Sequence, residues 1–583
     1  MSGSALDRIP GGYQLYAALL AIASRLRLEW RASPIHHLLL SGPRPDGLAA
    51  APKNFRPADP DAGRRILAGA FVFAGETLTI GPRSDPWDRP TPNRRFAVAL
   101  HSFDWLRDLT VHGDPGAWEG LRLFLAWRRF YGRWNAFSWR PDILERRVFN
   151  LACAVHALSA PASEVEAEMI AGDLAHQARF LLGVREGPAR AAERAAAAAV
   201  AGAALGGVAG DQLLDRALSC LSPALLETVG PDGGHASRNP QAAFELYLDL
   251  STLDEVLTQR GVVAPEELTR ALDRLCATVR FFTLADGRLA AFQGGSAAPA
   301  THVAAPNAGD AAHVSQPPAS RNGYHRLAGR SLQVFADAAA PAAGPWSQEA
   351  CAQPLAIEVL AGSKRLIVNS GWTADASGPA ALRLVDAAST TAVAEAACGA
   401  PLSGFAAKVL GLRLRDCYAV TEVQRHEEKE ALWLEMAHDG WNERFGLRHA
   451  RRLYLDVEAD ELRGEDCLTP FDARSGATGR RFVPFVVRFH LHPQVSALIA
   501  RDRKSVLLKF EGEEQGWWLR NDALEVALEP SIHHQDGQAR HAQQIVLRGQ
   551  ARLDAGAKVR WKLSSAAHDR PEVSRVDAKR LSA

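Results

Sequence analysis

The apolar pattern of this chain changes period once, and that change constrains the fold more than any other feature. From His101 to about residue 284, apolar residues recur at helical spacing. HSFDWLRDL sets His101, Trp105 and Leu109 at i, i+4 and i+8, and GAWEGLRLFLAWRRFYGRW continues the pattern. Pro141 opens DILERRVFNLACAVHAL, where a proline suits the first helical turn. Further helices are predicted across 163–186, 187–206, 210–229, 240–261 and 264–284. Pro and Gly punctuate nearly every join, so successive helices lie side by side and antiparallel, as an open stack or a closed α/α toroid. After residue 320 the pattern alternates. Segments such as RSLQVFADAA, PLAIEVLAG, FVPFVVRFHLH and AQQIVLRGQARL read as short strands ended by turn residues, about a dozen in all. That number and spacing predict a large antiparallel β-sandwich.

A chain of 583 residues exceeds one core. Its expected organisation is an N-terminal helix and arm (1–62), a helical domain (63–293), a linker rich in Ala, Pro, Gly and Ser (294–320) and a sandwich (321–583). FVFAGETLTI suggests a small hairpin around Ala74-Gly75. The apolar run Tyr13 to Ala23 is followed, not preceded, by Arg25, Arg27 and Arg31, which is the reverse of a signal peptide. It reads as an amphipathic helix lying on the protein. No transmembrane segment is expected, because no apolar run reaches the roughly 18 residues a span needs. Lys+Arg 67 against Asp+Glu 66 leaves no basic excess, so no nucleic-acid partner is expected. Seven scattered cysteines without a CxxC pair suggest neither a zinc ribbon nor a disulfide framework.

The strongest local signature is Pro231-Asp-Gly-Gly-His-Ala-Ser-Arg-Asn-Pro240, between two helical stretches. Asp-Gly-Gly demands a tight turn, which would set His235, Arg238 and Asn239 on a rigid loop. Ser237 or Asn239 can also cap the helix that opens at Pro240. With LHSFDWLRDL, FSWRPDILERRVFNL, NGYHRL, IVNSG, HDGW, FGLRHARRLYL, VRFHLHP, AQQIVLRG and VRWKL, this loop makes the chain resemble the heparinase II/III-like family along nearly its whole length. The resemblance implies an α/α toroid packed on a β-sandwich, with an acidic polysaccharide or oligosaccharide as partner in the cleft between them. It also implies β-elimination at a uronic acid: the carboxylate is neutralised, a base takes the C5 proton and an acid protonates the departing O4. Carried onto this chain, His235 and Asn239 are the catalytic candidates of the loop, and Arg238 is a substrate-carboxylate contact. Tyr324 is a further acid or base candidate. Arg488 and His490 of VRFHLHP are candidate substrate contacts. The resemblance implies work in the cell envelope or periplasm, with the cytoplasm as the alternative because no export signal is visible.

The sequence departs from the family in the sandwich. Glu349 and Cys351 occupy the two places of the family's His-Ala-His segment, Ala388 takes that of a further His, and Asn369 that of an acidic ligand. One thiol is not a metal site, so no structural zinc and no cofactor are expected. Glu349 remains a candidate base. Two functions follow: a lyase on a uronic-acid glycan, or a catalytically degenerate glycan-binding or envelope-associated protein. A hydrolase using Asp232 and Glu349 is a third. His492, with His490, lies on one strand face by alternation, and His302, His313 and His533-His534 read as solvated. Trp105, Trp134 and Trp139 are expected in the core, with stacking on sugar rings as the alternative.

Overall fold

A computed structural model describes residues 12–300, 318–372, 380–471, 481–536 and 538–566. Twelve helices precede the sandwich among these residues: α1 (Gly12–Ala32), α2 (Pro34–Leu39), α3 (Pro60–Leu67), α4 (Arg94–Ser102), α5 (Trp105–Thr110), α6 (Asp114–Tyr131), α7 (Pro141–Ser159), α8 (Glu164–Leu182), α9 (Ala191–Ala204), α10 (Gly207–Thr228), α11 (Pro240–Arg260) and α12 (Glu266–Phe282). They form an incomplete α/α toroid. Its centre is α9, AAERAAAAAVAGAA, in which every residue after Ala191 is buried. Small side chains let α7, α8, α10 and α11 pack around it. A Cβ on Gly202 would lie 2.6 Å from the Leu214 backbone nitrogen of α10, so that contact requires glycine.

Local differences from the sequence expectations have physical causes. The helix predicted through His101 and Trp105 is broken at Phe103, which caps α4 in the left-handed region (φ 61°). The Trp105 indole N–H then donates back to the Leu100 carbonyl at 3.0 Å. Trp105 and Trp139 are core, and Trp134 packs half-buried against it. The hairpin at 70–79 forms as expected, with Ala74 and Gly75 both at positive φ. Helix α1 exists but does not bury its apolar face: Leu19, Ile22 and Leu26 are 60–66% exposed. Among its described side chains, Ala17 and Leu20 are seated against Leu402, Leu410 and neighbours. No described helix is long and apolar enough to cross a membrane.

The sandwich stacks two antiparallel sheets. The first runs Glu525–Gln535, Gln538–Arg552, Phe482–Leu491, Lys364–Val368, Ile357–Ala361, Leu332–Asp337, Tyr324–Ala328 and Ser320–Arg321, with Thr391–Val393 also paired to Phe482–Leu491. The second runs Val420–Glu427, Ala431–Trp441, Leu447–Asp456, Glu461–Pro470, Ala557–Ser565, Gly516–Asn521, Ser505–Phe510 and Val495–Ile499. Strict alternation along Leu447–Asp456 buries Leu447, His449, Arg451, Leu453 and Leu455 between the sheets.

The first sheet turns its other face to the helices. Phe244 and Leu248 of α11 and Phe281 and Phe282 of α12 form one cluster with Tyr324, Phe335, Leu360 and Ala388. The part of the expected linker that is described, 294–300, also packs into this seam. The Ser296 N–H and hydroxyl both donate to Gln241 Oε1, and the Ala300 N–H donates to the Gly287 carbonyl. His302 and His313 lie outside the described residues.

Ion pairs cross the seam as well. Arg365 bonds Asp286 at 2.7 Å and the Leu289 carbonyl at 2.9 Å, and Arg288 pairs with Asp536 at 2.9 Å. Beside Arg365, the Glu358 carboxyl is 1% exposed. Burial pushes it up to about 7, with Arg365 opposing only in part. A folded value above the ordinary 4.5 means that this group favours the fold below pH ~4.5 and loses that contribution as pH rises through 7. Glu358→Gln is therefore expected to gain about 3 kcal/mol over the parent above pH 7 and little near pH 4.5. Urea unfolding of both proteins across that range checks it; a variant-minus-parent difference that does not grow with pH contradicts it.

Candidate functional site

The loop 229–239 is pinned from several sides. The Gly230 N–H donates to the Gly234 carbonyl and the Gly233 N–H to the Gly230 carbonyl, both at 2.9 Å. Gly233 sits at φ 82°, where a Cβ would lie 2.4 Å from the Arg274 carbonyl of α12. Asp232 accepts the N–H groups of Gly234 and Asn322. Both its oxygens therefore hold the loop. Asn322 closes the loop by donating to the His235 carbonyl at 3.1 Å.

This loop brings His235 and Asn239 together with Glu349. The His235 ring meets Trp346 edge-on at 5.7 Å, and Asn239 Nδ2 lies 3.5 Å from Glu349 Oε2. The backbone on either side of Glu349 is held by Arg383, a fully buried guanidinium that donates to the carbonyls of Ser347, Ala350 and Leu412. Asn239 also caps α11, its Oδ1 accepting the N–H groups of Gln241 and Ala242.

Three side chains that the sequence reading missed complete the cluster. Arg190, Glu193 and Glu145 come from the start of α9 and from α7. Arg190 pairs with Glu145 at 2.5 Å, and Glu193 Oε1 lies 3.7 Å from His235 Nε2. Burial opposes ionisation of Glu193, yet His235 and Arg190 outweigh it and hold the carboxyl at about 2. Burial wins at Glu145, whose carboxyl is pushed up against the pull of Arg190. One signal was available: REGPARAAERAAAAA places Arg190, Glu193 and Arg194 at the head of an alanine run too apolar to lie at the surface. Charges carried into a buried helix need partners.

The hydrogen bonds fix the state of His235. The Ser237 N–H donates to Nδ1 at 3.2 Å, and the Ser237 hydroxyl lies 2.7 Å from the same atom. A nitrogen that accepts an N–H carries no proton, so in the neutral ring the proton sits on Nε2, 3.7 Å from Glu193 Oε1 and beyond hydrogen-bond reach. The lone pair a base would use is occupied.

Other expected site residues lie elsewhere or are already engaged. Arg238, expected to meet a substrate carboxylate, spends its guanidinium on Asp337 at 2.5 Å and on the carbonyls of Asn322, Ala339 and Ala340. Its plane covers the Tyr324 ring at 4.7 Å. Tyr324 is fully buried and donates its hydroxyl to the Arg238 carbonyl at 2.8 Å, and burial pushes the phenol well above its usual range. Neither side chain faces an open cleft. Arg488 and His490 make their contacts within the sandwich: Arg488 with Asp386, Glu529 and Gln544, His490 with Ser531, Ser370 and the Asp386 carbonyl. Burial lowers His490 to about 4. Neither joins the His235 cluster through these bonds. His533, read as solvated, is buried with Nδ1 bonded to the Asn369 carbonyl.

At the departures from the family pattern, Ala388 is part of the seam core and Cys351 is 2% exposed with its thiol pushed up to about 12 by burial. Asn369 accepts the Ser389 N–H. Among the described residues no three His, Cys, Asp or Glu side chains are grouped as metal ligands would be.

Residues 315–562 match the C-terminal domain of heparinase II/III-like proteins. Over 96% of this chain and 97% of the relative, the sequence is 50% identical to the FtsZ-localized protein C of Caulobacter vibrioides (strain NA1000 / CB15N). The chain belongs to the heparinase II/III-like family. Solved structures of polysaccharide lyases share its architecture. Heparinase III superposes with a TM-score of 0.68 at 13% identity, covering 92% of this chain and 91% of that one. A heparan sulfate lyase HepC mutant from Pedobacter heparinus gives 0.56 at 13%, covering 96% and 92%. The chondroitin AC lyase of Streptomyces coelicolor A3, solved with chondroitin sulphate, gives 0.52 at 13%, covering 89% and 80%. Likeness at this identity carries the fold and not the chemistry.

Proposed function

We propose that this chain is a heparinase II/III-like protein that works by binding rather than by cleaving glycans, and that it acts where FtsZ assembles. The observation that carries the reading is the 50% identity to an FtsZ-localized protein along nearly the whole of both chains, against 13% to the lyases. The site supports it. β-elimination with His235 as base needs a free imidazole lone pair, and an arginine that meets the uronate carboxylate needs free donors. Here the His235 lone pair is taken by Ser237, Arg190 is held by Glu145, and Arg238 by Asp337 and three carbonyls.

A fluorescent fusion of the full chain, imaged with labelled FtsZ in the cells that produce it, is expected to mark the same band and to disperse when FtsZ is depleted. A diffuse fusion, or a band that survives depletion, overturns the assignment.

A second reading, a lyase on an acidic glycan, is favoured by one observation. His235, Asn239 and Glu349 converge where the helices meet the sandwich. It predicts turnover that is lost on His235→Ala.

A further inference from the structure

The outer face of the second sheet is turned away from the first sheet, which is the one that packs on the helices. One row of side chains crosses five strands there: Trp433 opposes Tyr454, Tyr454 opposes Arg463, Arg463 opposes Lys562 and Lys562 opposes Arg520. At a strand spacing of about 4.8 Å this is aromatic at one end and cationic over the remaining three positions. The adjacent row, Glu435–Arg452–Glu465–Arg560, alternates in charge and is paired throughout. Together the rows line a concavity of about 530 Å³. Two carboxylates are each shared by two cations: Glu461 by Arg463 and Lys562, both at 2.6 Å, and Glu465 by Arg452 and Arg560 at 3.0 and 2.8 Å, while Asp522 lines the same concavity and accepts the Arg560 backbone N–H. The shared carboxylates hold the cations upright, and guanidinium donors remain for a ligand.

We propose that this face binds an acidic peptide segment of a partner protein, with one apolar side chain anchored on Trp433 and carboxylates placed over Arg463, Lys562 and Arg520. The aromatic geometry selects a peptide over a glycan. The Trp433 and Tyr454 rings are 80° apart, and the Arg463 guanidinium already covers the Tyr454 face at 5.5 Å. Within this row, no flat pair of rings is left for successive sugars. Trp433, 41% exposed, at the end of a row that continues through Tyr454 into Arg463, has the composition of a protein-binding hot spot. The site stands whether or not the His235 cluster turns over a substrate.

The test uses the full chain and a fluorescein-labelled peptide of Asp and Glu residues with one central phenylalanine, read by anisotropy. Saturable binding is expected, weakening with salt. It should fall about tenfold or more with Arg463→Glu/Lys562→Glu and also with Trp433→Ala, and be unchanged by Arg270→Glu on α12. All four substitutions lie on outward faces, and Trp433→Ala keeps the charge pattern as a second readout. Absence of saturable binding, affinity indifferent to both site variants, or a heparan-type oligosaccharide that displaces the peptide at lower concentration each overturns the proposal.

Discussion

Replacing Arg238 with alanine is expected to cost about 3–5 kcal/mol and to loosen the packing of the helices on the sandwich. The guanidinium is the hub of the seam. It reaches from the 231–240 loop to Asp337 on the first sheet and to the carbonyls of Asn322, Ala339 and Ala340, and it stacks on Tyr324. Removing it leaves the Asp337 carboxylate, 1% exposed, with Gln293 and the Ala339 N–H in place of a counter-ion. Tyr324 also loses the cation that covers its ring. Lysine does not rescue, because one ammonium cannot serve three carbonyls and a carboxylate at once. Urea unfolding and limited proteolysis at the seam measure the loss. An Arg238→Ala protein as stable as the parent would return Arg238 to the role of a free substrate ligand.

Asp466→Asn is expected to have an effect of similar size inside the sandwich. Asp466 accepts from His449 Nε2 at 2.9 Å, Arg451 Nε at 2.7 Å, Trp561 Nε1 at 2.9 Å and the Thr391 hydroxyl at 3.0 Å. Burial opposes its charge, but Arg451 and His449 hold the carboxyl far below the usual range. The His449 N–H on Nε2 leaves Nδ1 to accept from His438 Nε2, and His438 Nδ1 accepts the Gly440 N–H. One carboxylate thus orders two neutral imidazoles, both lowered by burial first. Asparagine leaves Arg451, 0% exposed, without its counter-ion, a loss of about 3–5 kcal/mol. The depressed value of the native carboxyl sets the pH sign. Its contribution is present above the ordinary 3.8 and is lost as pH falls below it, so parent and variant should converge in strong acid. Denaturant unfolding followed by Trp561 and Trp441 fluorescence checks both points. Unchanged stability at neutral pH contradicts the account.

The two architectures were legible because each is written locally. Alternation in RRLYLDVEA or FVVRFHL is the pleat itself, and the alanine run of α9 predicts a helix wherever it is placed. The break at Phe103 was not legible, because a left-handed cap on a bulky residue is imposed by the packing of α4 and α5 around it. Site residues were half legible for the same reason. Asn239 could be read as a cap and as a loop amide, and it is both a cap and a neighbour of Glu349. The fate of Arg238 depends on Asp337, 99 residues away. That of His235 depends on Glu193, a residue hidden in an alanine-rich helix. Ala388 is informative in both views: the missing histidine of the sequence is an apolar contact in the seam.

The most direct test of the central claim, that the residues gathered around His235 hold the fold and bind rather than eliminate, is ultraviolet absorbance during incubation with uronic-acid polymers. Elimination creates a C=C bond conjugated to the carboxylate, so any turnover raises the signal. The account predicts a flat trace for heparan- and chondroitin-type substrates alike, from a protein whose fold is verified in the same sample. A rising trace that His235→Ala abolishes without unfolding the chain would contradict it.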